Sequence, residues 1–467
     1  MPRQNGAAAA RPLRLVLAAS TFYTLALAHG DHGDKIEEGH AISSDPIDSI
    51  LWIHILLQVL AFGILYPVGM VFGMAKSRWH VPVQVLATAV TILGYFLGHM
   101  HRGRQFRHNN AHARFATPLF FILAAQVAMG IYLKLHLERG INGRIRRVVR
   151  PAHGILGKLF PVLSWAQMVF GGITALGFCQ GEHVGQCATH FIMGSAFIGY
   201  GIALTIVLIA GQVWVRNSGR SQEFYESALI AAGGCLTTFT GLRWGEDWRK
   251  NDWQHAALGV VCWCAGLAGI WLSRDRDGAP KRNFVPGFVL VLTGWAMSAD
   301  PQALDASTEI HKIFGYTLMA SGVSRIVEIA FVLRDSTSVS EDGRRVNSFQ
   351  YIPVFLLYAA GFLFMGSSEE QMVLVAGSSM VPVSYILILY SLAFLVFLFA
   401  NMLIYIYGHN VPEDRKEDQQ VQDAEEFELD GLVSDDEEGD SARLLKEQWV
   451  ATPSTLVGGT SDAGEAR

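Results

Sequence analysis

Apolar residues in this chain come in long unbroken blocks separated by short polar stretches. They show neither the two-residue alternation of strands nor the one-sided stripe of soluble helices. The blocks lie near 50–72, 83–100, 116–136, 154–178, 189–214, 224–242, 255–272, 284–299, 311–333, 350–366 and 382–408, which predicts about eleven transmembrane helices in two bundles. Those at 284–299 and 350–366 fall short of the roughly 20 residues that cross a bilayer upright. Between the last two blocks, the Ser-rich stretch 367–381 reads as a re-entrant piece. A further apolar run, Leu15 to Ala28, follows Arg3, Arg11 and Arg14 and ends in Ala26-Leu27-Ala28. A basic stretch, a short apolar core and an A-x-A site predict a signal peptide over residues 1–28, cleaved after Ala28.

Composition narrows the class. Of 467 residues, 51% are hydrophobic and only 16% are charged, too few to cover a soluble domain of this size. The reading is an all-α integral membrane protein with no nucleic-acid partner. Residues 411–467 hold 17 acidic and 5 basic side chains, a net charge of −12; the whole chain is −5, which leaves +7 for the rest. That tail predicts a disordered acidic segment. With an outside N-terminus, alternate loops starting at 73–82 are cytosolic, and they carry 17 basic residues against 7 in the opposite loops. The excess agrees with the signal peptide and places the tail in the cytosol. Cys179 and Cys187 then share an extracytosolic loop, where a disulfide persists, while Cys235, Cys262 and Cys264 fall within spans.

Four histidines mark the ends of the first four blocks. His54 and His112 begin inward-running helices and share the outer level; His80 and His153 begin outward-running helices and share the inner level. Each pair is placed to clamp one metal from two sides. Four residues after His153 and His112 stand Gly157 and Ala116, on the same helix face, which leaves room beside the ring; His80 has Gln84 there. His99, His101, His108 and His190, with Gly194 four residues later, are rival ligands.

Segment 50–175 resembles the four-helix core of the cytochrome b-561 superfamily. The resemblance rests on His54 with Pro67 and Gly69, Trp79-His80 with Gln84, His112 with the Gln126/Gly130 pair, and His153-Gly154-Ile155-Leu156-Gly157-Lys158. It implies two b-type haems, with His54 paired to His112 and His80 to His153, passing electrons across the membrane. The second half, roughly 220–410, is similar to fungal YTP-like membrane proteins through Asp252-Trp253-Gln254-His255 with Gly259, His311 with Gly315, and Arg325 with Glu328. That likeness places the region without implying a mechanism.

The expected organisation is a signal peptide (1–28), a His/Asp-rich lumenal leader (29–48), a cytochrome b-561-like bundle (49–178), a connecting helix with loops (179–223), a YTP-like multi-pass domain (224–410) and the acidic tail (411–467). Lys76, Arg78, Arg146, Arg150 and Lys158 flank the inner histidines and would attract a small anionic reductant such as ascorbate. The outer acceptor would be ferric iron, another metal or a radical, which would make the chain a ferric reductase-like oxidoreductase. His255 and His311, preceded by acidic loops (Glu246, Asp247, Asp252; Asp300, Asp305, Glu309), form a candidate metal site with the ligand set of iron, zinc or manganese. Asp440 with Leu444 and Leu445 reads as an acidic dileucine signal for sorting adaptors, which suits an endosomal or vacuolar membrane, or the plasma membrane. The rival readings are a metal-ion or proton transporter and a haem-less membrane scaffold.

Overall fold

The computed structural model describes residues 46–104, 106, 110–137, 139–180, 184–241, 250–299, 302, 304–333 and 346–411. The signal segment, the leader histidines His29, His32 and His40, His108, the loop acids Glu246, Asp247 and Asp300, and the sorting residues Asp440, Leu444 and Leu445 lie outside the described residues. Among those described there are helices and no strands.

The helices are α1 (Ser49–Met74), α2 (His80–Met100), α3 (Ala111–Lys134), α4 (Ile141–Leu176), α5 (Val184–Ile209), α6 (Gln212–Asn217), α7 (Gln222–Gly241), α8 (Lys250–Leu272), α9 (Val285–Ser298), α10 (Asp305–Leu333), α11 (Ser348–Met365), α12 (Glu369–Ala376) and α13 (Pro382–Asn410). Nine stretches among the described residues are long and apolar enough to cross a membrane: α1 to α5, residues Trp253–Leu272 of α8, α10, α11 and α13. The blocks at 224–242 and 284–299 are helical as well, but α7 carries Gln222, Glu223 and Glu226 in its first turns and α9 has only 14 residues. The expected re-entrant stretch contains the eight-residue helix α12. This is an all-α, multi-pass membrane protein.

Local chemistry sets the helix ends. Asp48 and Asn110 cap α1 and α3, their side chains accepting from the Leu51 and Ala113 amides, which satisfies donors that a helix start leaves open. Gly177 closes α4 at φ 78°, a left-handed conformation that suits glycine. Midway along α1 the helix widens into a π turn over Val59–Leu65.

Helices α1 and α2 pack as one hairpin and α3 and α4 as another, with α4 meeting α1 at its π turn. In the second half α11 is the central post, contacted by α5, α10 and α13. Leu357, Tyr358, Ala359, Ala360 and Leu363 of α11 are fully enclosed, as its apolar sequence on every side requires. Glycines set the closest crossings: a Cβ on Gly294 or Gly322 would meet the carbonyl oxygen of Gly315 or Gly287 across the α9–α10 interface. Without a hydrophobic drive between helices in lipid, such close backbone approach is what holds them together. Helix α13 packs on α11 and also on the Tyr66–Met74 part of α1, so it joins the two halves.

Cys179 and Cys187 form a disulfide, with Cα atoms 5.2 Å apart. Glu370, at the start of α12, accepts from the Cys179 amide at 2.9 and 3.0 Å and ties this loop to the second half. Its neighbour Glu369 is buried, and burial, with the Glu370 charge as a second cause, lifts its carboxyl from 4.5 to about 7. Across that interval the folded protein holds a proton that the unfolded chain has released, so stability falls as pH rises from 4.5 through 7. The thermal unfolding midpoint in detergent is therefore expected to drop between pH 5 and pH 8, with Glu369→Gln flattening the dependence. An unchanged slope in that variant would contradict the assignment.

Candidate functional site

The four histidines of the first half meet in two pairs. His54 of α1 faces His112 of α3 with ring centroids 6.2 Å apart and planes at 90°; His80 of α2 faces His153 of α4 at 6.3 Å and 83°. Each pair joins one hairpin to the other.

The rings of His54, His80 and His112 contact the partner helix of their own hairpin through Nδ1. His54 Nδ1 donates to the Gly94 carbonyl and His80 Nδ1 to the Gly69 carbonyl, both at 2.7 Å. His112 Nδ1 lies 3.3 Å from the Gln167 carbonyl and 3.0 Å from the Gln167 side-chain amide. A carbonyl cannot donate, so at His54 and His80 the proton sits on Nδ1 and the Nε2 lone pair is left for a ligand. Four residues beyond each of these acceptors stands a glycine against the ring. A Cβ on Gly98 would stand 2.6 Å from His54 Nδ1, one on Gly73 2.8 Å from His80 Nδ1, and one on Gly171 3.3 Å from His112 Nδ1. Gln126 and Gly130 repeat the spacing beside His153, but without a bond to the ring: the Gln126 amide donates to the His153 backbone carbonyl at 2.9 Å, and a Gly130 Cβ would lie 3.4 Å from the ring. The spacing between ligand and cradle on each helix is 16 or 17 residues (His54 to the middle of 69–73, for example), so the two levels lie about 25 Å apart along the axes.

Between the levels the interior is apolar and aromatic. Phe62, Tyr66 and Phe160 pack with centroids 4.9 to 6.0 Å apart, beside buried Ala61, Ala87, Leu119 and Leu123. The π turn of α1 lies at this height and carries Phe62.

The separation of the rings decides what each pair can hold. Two imidazoles bound to one metal from opposite sides, with metal–nitrogen bonds of about 2 Å and ring centroids about 1.1 Å behind each nitrogen, have centroids about 6.2 Å apart. Both pairs match that span, so the residues present fit an iron with bis-imidazole ligation, as in haem b. The cradle glycines lie on the neighbouring helix of each hairpin. The gap at Gly157, assigned from the sequence to macrocycle room, is instead filled by Gln126, whose amide nitrogen stands 3.0 Å from a Cβ position there. Of the rival ligands, His99 bonds to the carbonyl of Tyr95 on its own helix and His101 packs on Phe106.

Beside His80 an open cleft of about 500 Å³ is lined by Gly73, Lys76, Ser77, Arg78 and Lys134. Lys76, at φ 53°, closes the turn after α1. Of the basic residues expected near the reductant, Lys76 and Arg78 line this cleft and Lys134 adds a third charge. Arg146 instead donates to the Leu133 carbonyl at 3.0 Å, and Arg150 and Lys158 are exposed outside the lining.

In the second half the structure brings His311 onto His190 of α5, with Nε2 atoms 3.3 Å apart and centroids at 5.5 Å. His255 lies on α8. Both Nδ1 atoms donate to carbonyls one turn back, of Gln186 and Ser307, at 2.8 Å. Two Nε2 lone pairs this close repel unless a proton lies between them, and the span is too short for a metal held from opposite sides. A Cβ on Gly194, four residues after His190, would stand 2.7 Å from the Gly361 carbonyl oxygen, so this glycine serves helix packing.

The chain matches the family described as "Protein YTP1-like, C-terminal" over residues 163–408, more than half its length. It belongs to the YTP1-like family. Residues 34–136 of this YTP1-like chain also match a domain of unknown function, DUF2427. It is 35% identical over 297 residues to Protein YTP1 of Saccharomyces cerevisiae, an alignment that covers 62% of this chain and 63% of that relative. It is 24% identical over 447 residues to an uncharacterized membrane protein of Schizosaccharomyces pombe, covering 69% and 87%. No solved structure matches it.

The cradles give a direct test. In Gly98→Ala the new methyl displaces the His54 ring from the Gly94 carbonyl and leaves a buried polar group short of a partner, a cost of about 1–3 kcal/mol. Gly154→Ala, where a Cβ meets nothing within 4 Å, is the control. The thermal midpoint should fall in the first variant alone, and equal midpoints would contradict the cradle.

Proposed function

We propose that this YTP1-like protein carries electrons across its membrane through two b-type haems, one between His54 and His112 and one between His80 and His153. The observation that carries this reading is the pair of imidazole separations, 6.2 and 6.3 Å. Bound haem b supplies a reversible one-electron iron couple. The four histidines would hold the iron, and the bonds from Nδ1 of His54 and His80 to backbone carbonyls orient those two rings and raise their basicity as ligands. Lys76, Arg78 and Lys134 gather a small anionic reductant such as ascorbate beside His80. The apolar layer around Phe62, Tyr66 and Phe160 keeps water from the space between the two levels. Electrons leaving at the outer level would reduce ferric iron or a radical. The loop charges and the tail signal at Asp440, Leu444 and Leu445 support a secretory-pathway membrane, endosomal or vacuolar, with sorting adaptors as partners.

The test is a dithionite-reduced-minus-oxidised visible spectrum of the purified full chain in detergent, with pyridine-haemochrome quantification. Sharp b-type bands, about two haems per chain and reduction by ascorbate are expected. A colourless, folded protein would overturn the reading in favour of transport or a scaffold role.

A further inference from the structure

The second half buries a group of ionisable side chains that electron transfer does not use. Glu223 and Glu226 come from α7, Arg325 and Glu328 from α10, and Arg282 from the segment ahead of α9. Glu223 accepts from both guanidinium groups at 2.9 Å. Glu328 lies 2.7 Å from Arg325 and accepts from the Gln350 amide at 3.2 Å. Glu226 reaches Arg325 only at 3.4 Å and accepts from the Gln222 amide at 2.7 Å. Glu223, Glu226, Arg325 and Glu328 are all buried.

Among the described residues of this cluster, three carboxyl groups stand against two guanidiniums. Fully ionised, the cluster holds one excess negative charge in an apolar bundle, where an unpaired charge is strongly disfavoured. A single added proton restores neutrality, and Glu226 has the weakest claim on either cation. The groups facing it are Glu223 and Gln222 on its own helix, Arg325 and Glu328 on α10, Tyr200 on α5 and Gln350 on α11; Arg282 is engaged by Glu223. Beside it lies a cavity of about 20 Å³ lined by Glu226, Arg325, Glu328, Gln350, Ser321 and Tyr200, enough for one water molecule. Arg325 Nε is buried and has no hydrogen-bond partner.

We propose that this cluster is a proton-binding site with Glu226 as the carrier. The proton is taken from a water in the cavity, and the water regains one from its surroundings, so no covalent or redox change is involved. The site is independent of haem and gives the second half a role of its own, in proton uptake and release.

The test is infrared spectroscopy of the purified full chain at pH 6 in H₂O and D₂O, in a Glu369→Gln background to remove the buried carboxyl of α12. The carbonyl band of one protonated carboxylic acid, shifted by D₂O, is expected in this background and absent once Glu226→Gln is added. Thermal unfolding supplies the second measurement. Glu226→Gln should keep the parent midpoint, because an amide replaces a neutral acid, whereas Glu223→Gln, which strips both guanidiniums of their shared carboxylate, should lower it. Persistence of the band in Glu226→Gln, its absence from the parent, its loss on adding sodium, or a Glu226→Gln that fails to fold would each overturn the proposal.

Discussion

An imidazole ring inside a lipid-facing bundle must find a partner for its N–H where no water is available. A helix spends its own N–H groups on its own carbonyls, but each carbonyl oxygen keeps a second lone pair. A neighbouring side chain can reach that lone pair only where the two helices approach closely. The glycines at 73, 98 and 171 allow this approach, and four residues earlier on the same helix face a carbonyl meets the ring of His80, His54 or His112; at Gly130 the Gln126 amide bonds the His153 main chain instead. The two hairpins, the facing of the rings and the separation of the two levels follow from that constraint.

The arrangement has an inverted regularity. On α1, His54 marks one end and Gly69 with Gly73 the other; on α2, His80 marks one end and Gly94 with Gly98 the other. Helices α3 and α4 repeat it with His112 and His153 against Gln126/Gly130 and Gln167/Gly171. Every helix thus presents one ring and cradles another, which ties both levels to the same four rods. The second half shows the contrasting case. His190 and His311 touch through Nε2, so their contact is suited to a proton, not to a metal held from opposite sides.

The apolar blocks, their all-helical class and the shared level of His54 with His112 and of His80 with His153 were legible in the sequence, because helix direction alone converts residue number into depth. The cradles were harder to read. Gly73, Gly98 and Gly171 act on rings from another helix, and a glycine in a membrane segment looks the same whether it admits a ring or a backbone. The period of four from Gly69 to Gly73, from Gly94 to Gly98, from Gln126 to Gly130 and from Gln167 to Gly171 is the signal that could have revealed them. The meeting of His190 with His311 was not legible, since their helices are five apart in chain order. Arg325 and Glu328 were legible only as part of the YTP-like resemblance, and Glu223, Glu226 and Arg282 join them through the packing of α7 and the segment before α9 onto α10.

The account depends on the pairing itself: two rings from different hairpins at each of two levels. Haem content per chain in double variants tests this most directly. His54→Ala with His112→Ala should leave about one haem, the same as either single variant, because both rings serve one level. His54→Ala with His80→Ala should leave none. Complete loss in the first double variant together with one haem retained in the second would contradict the pairing.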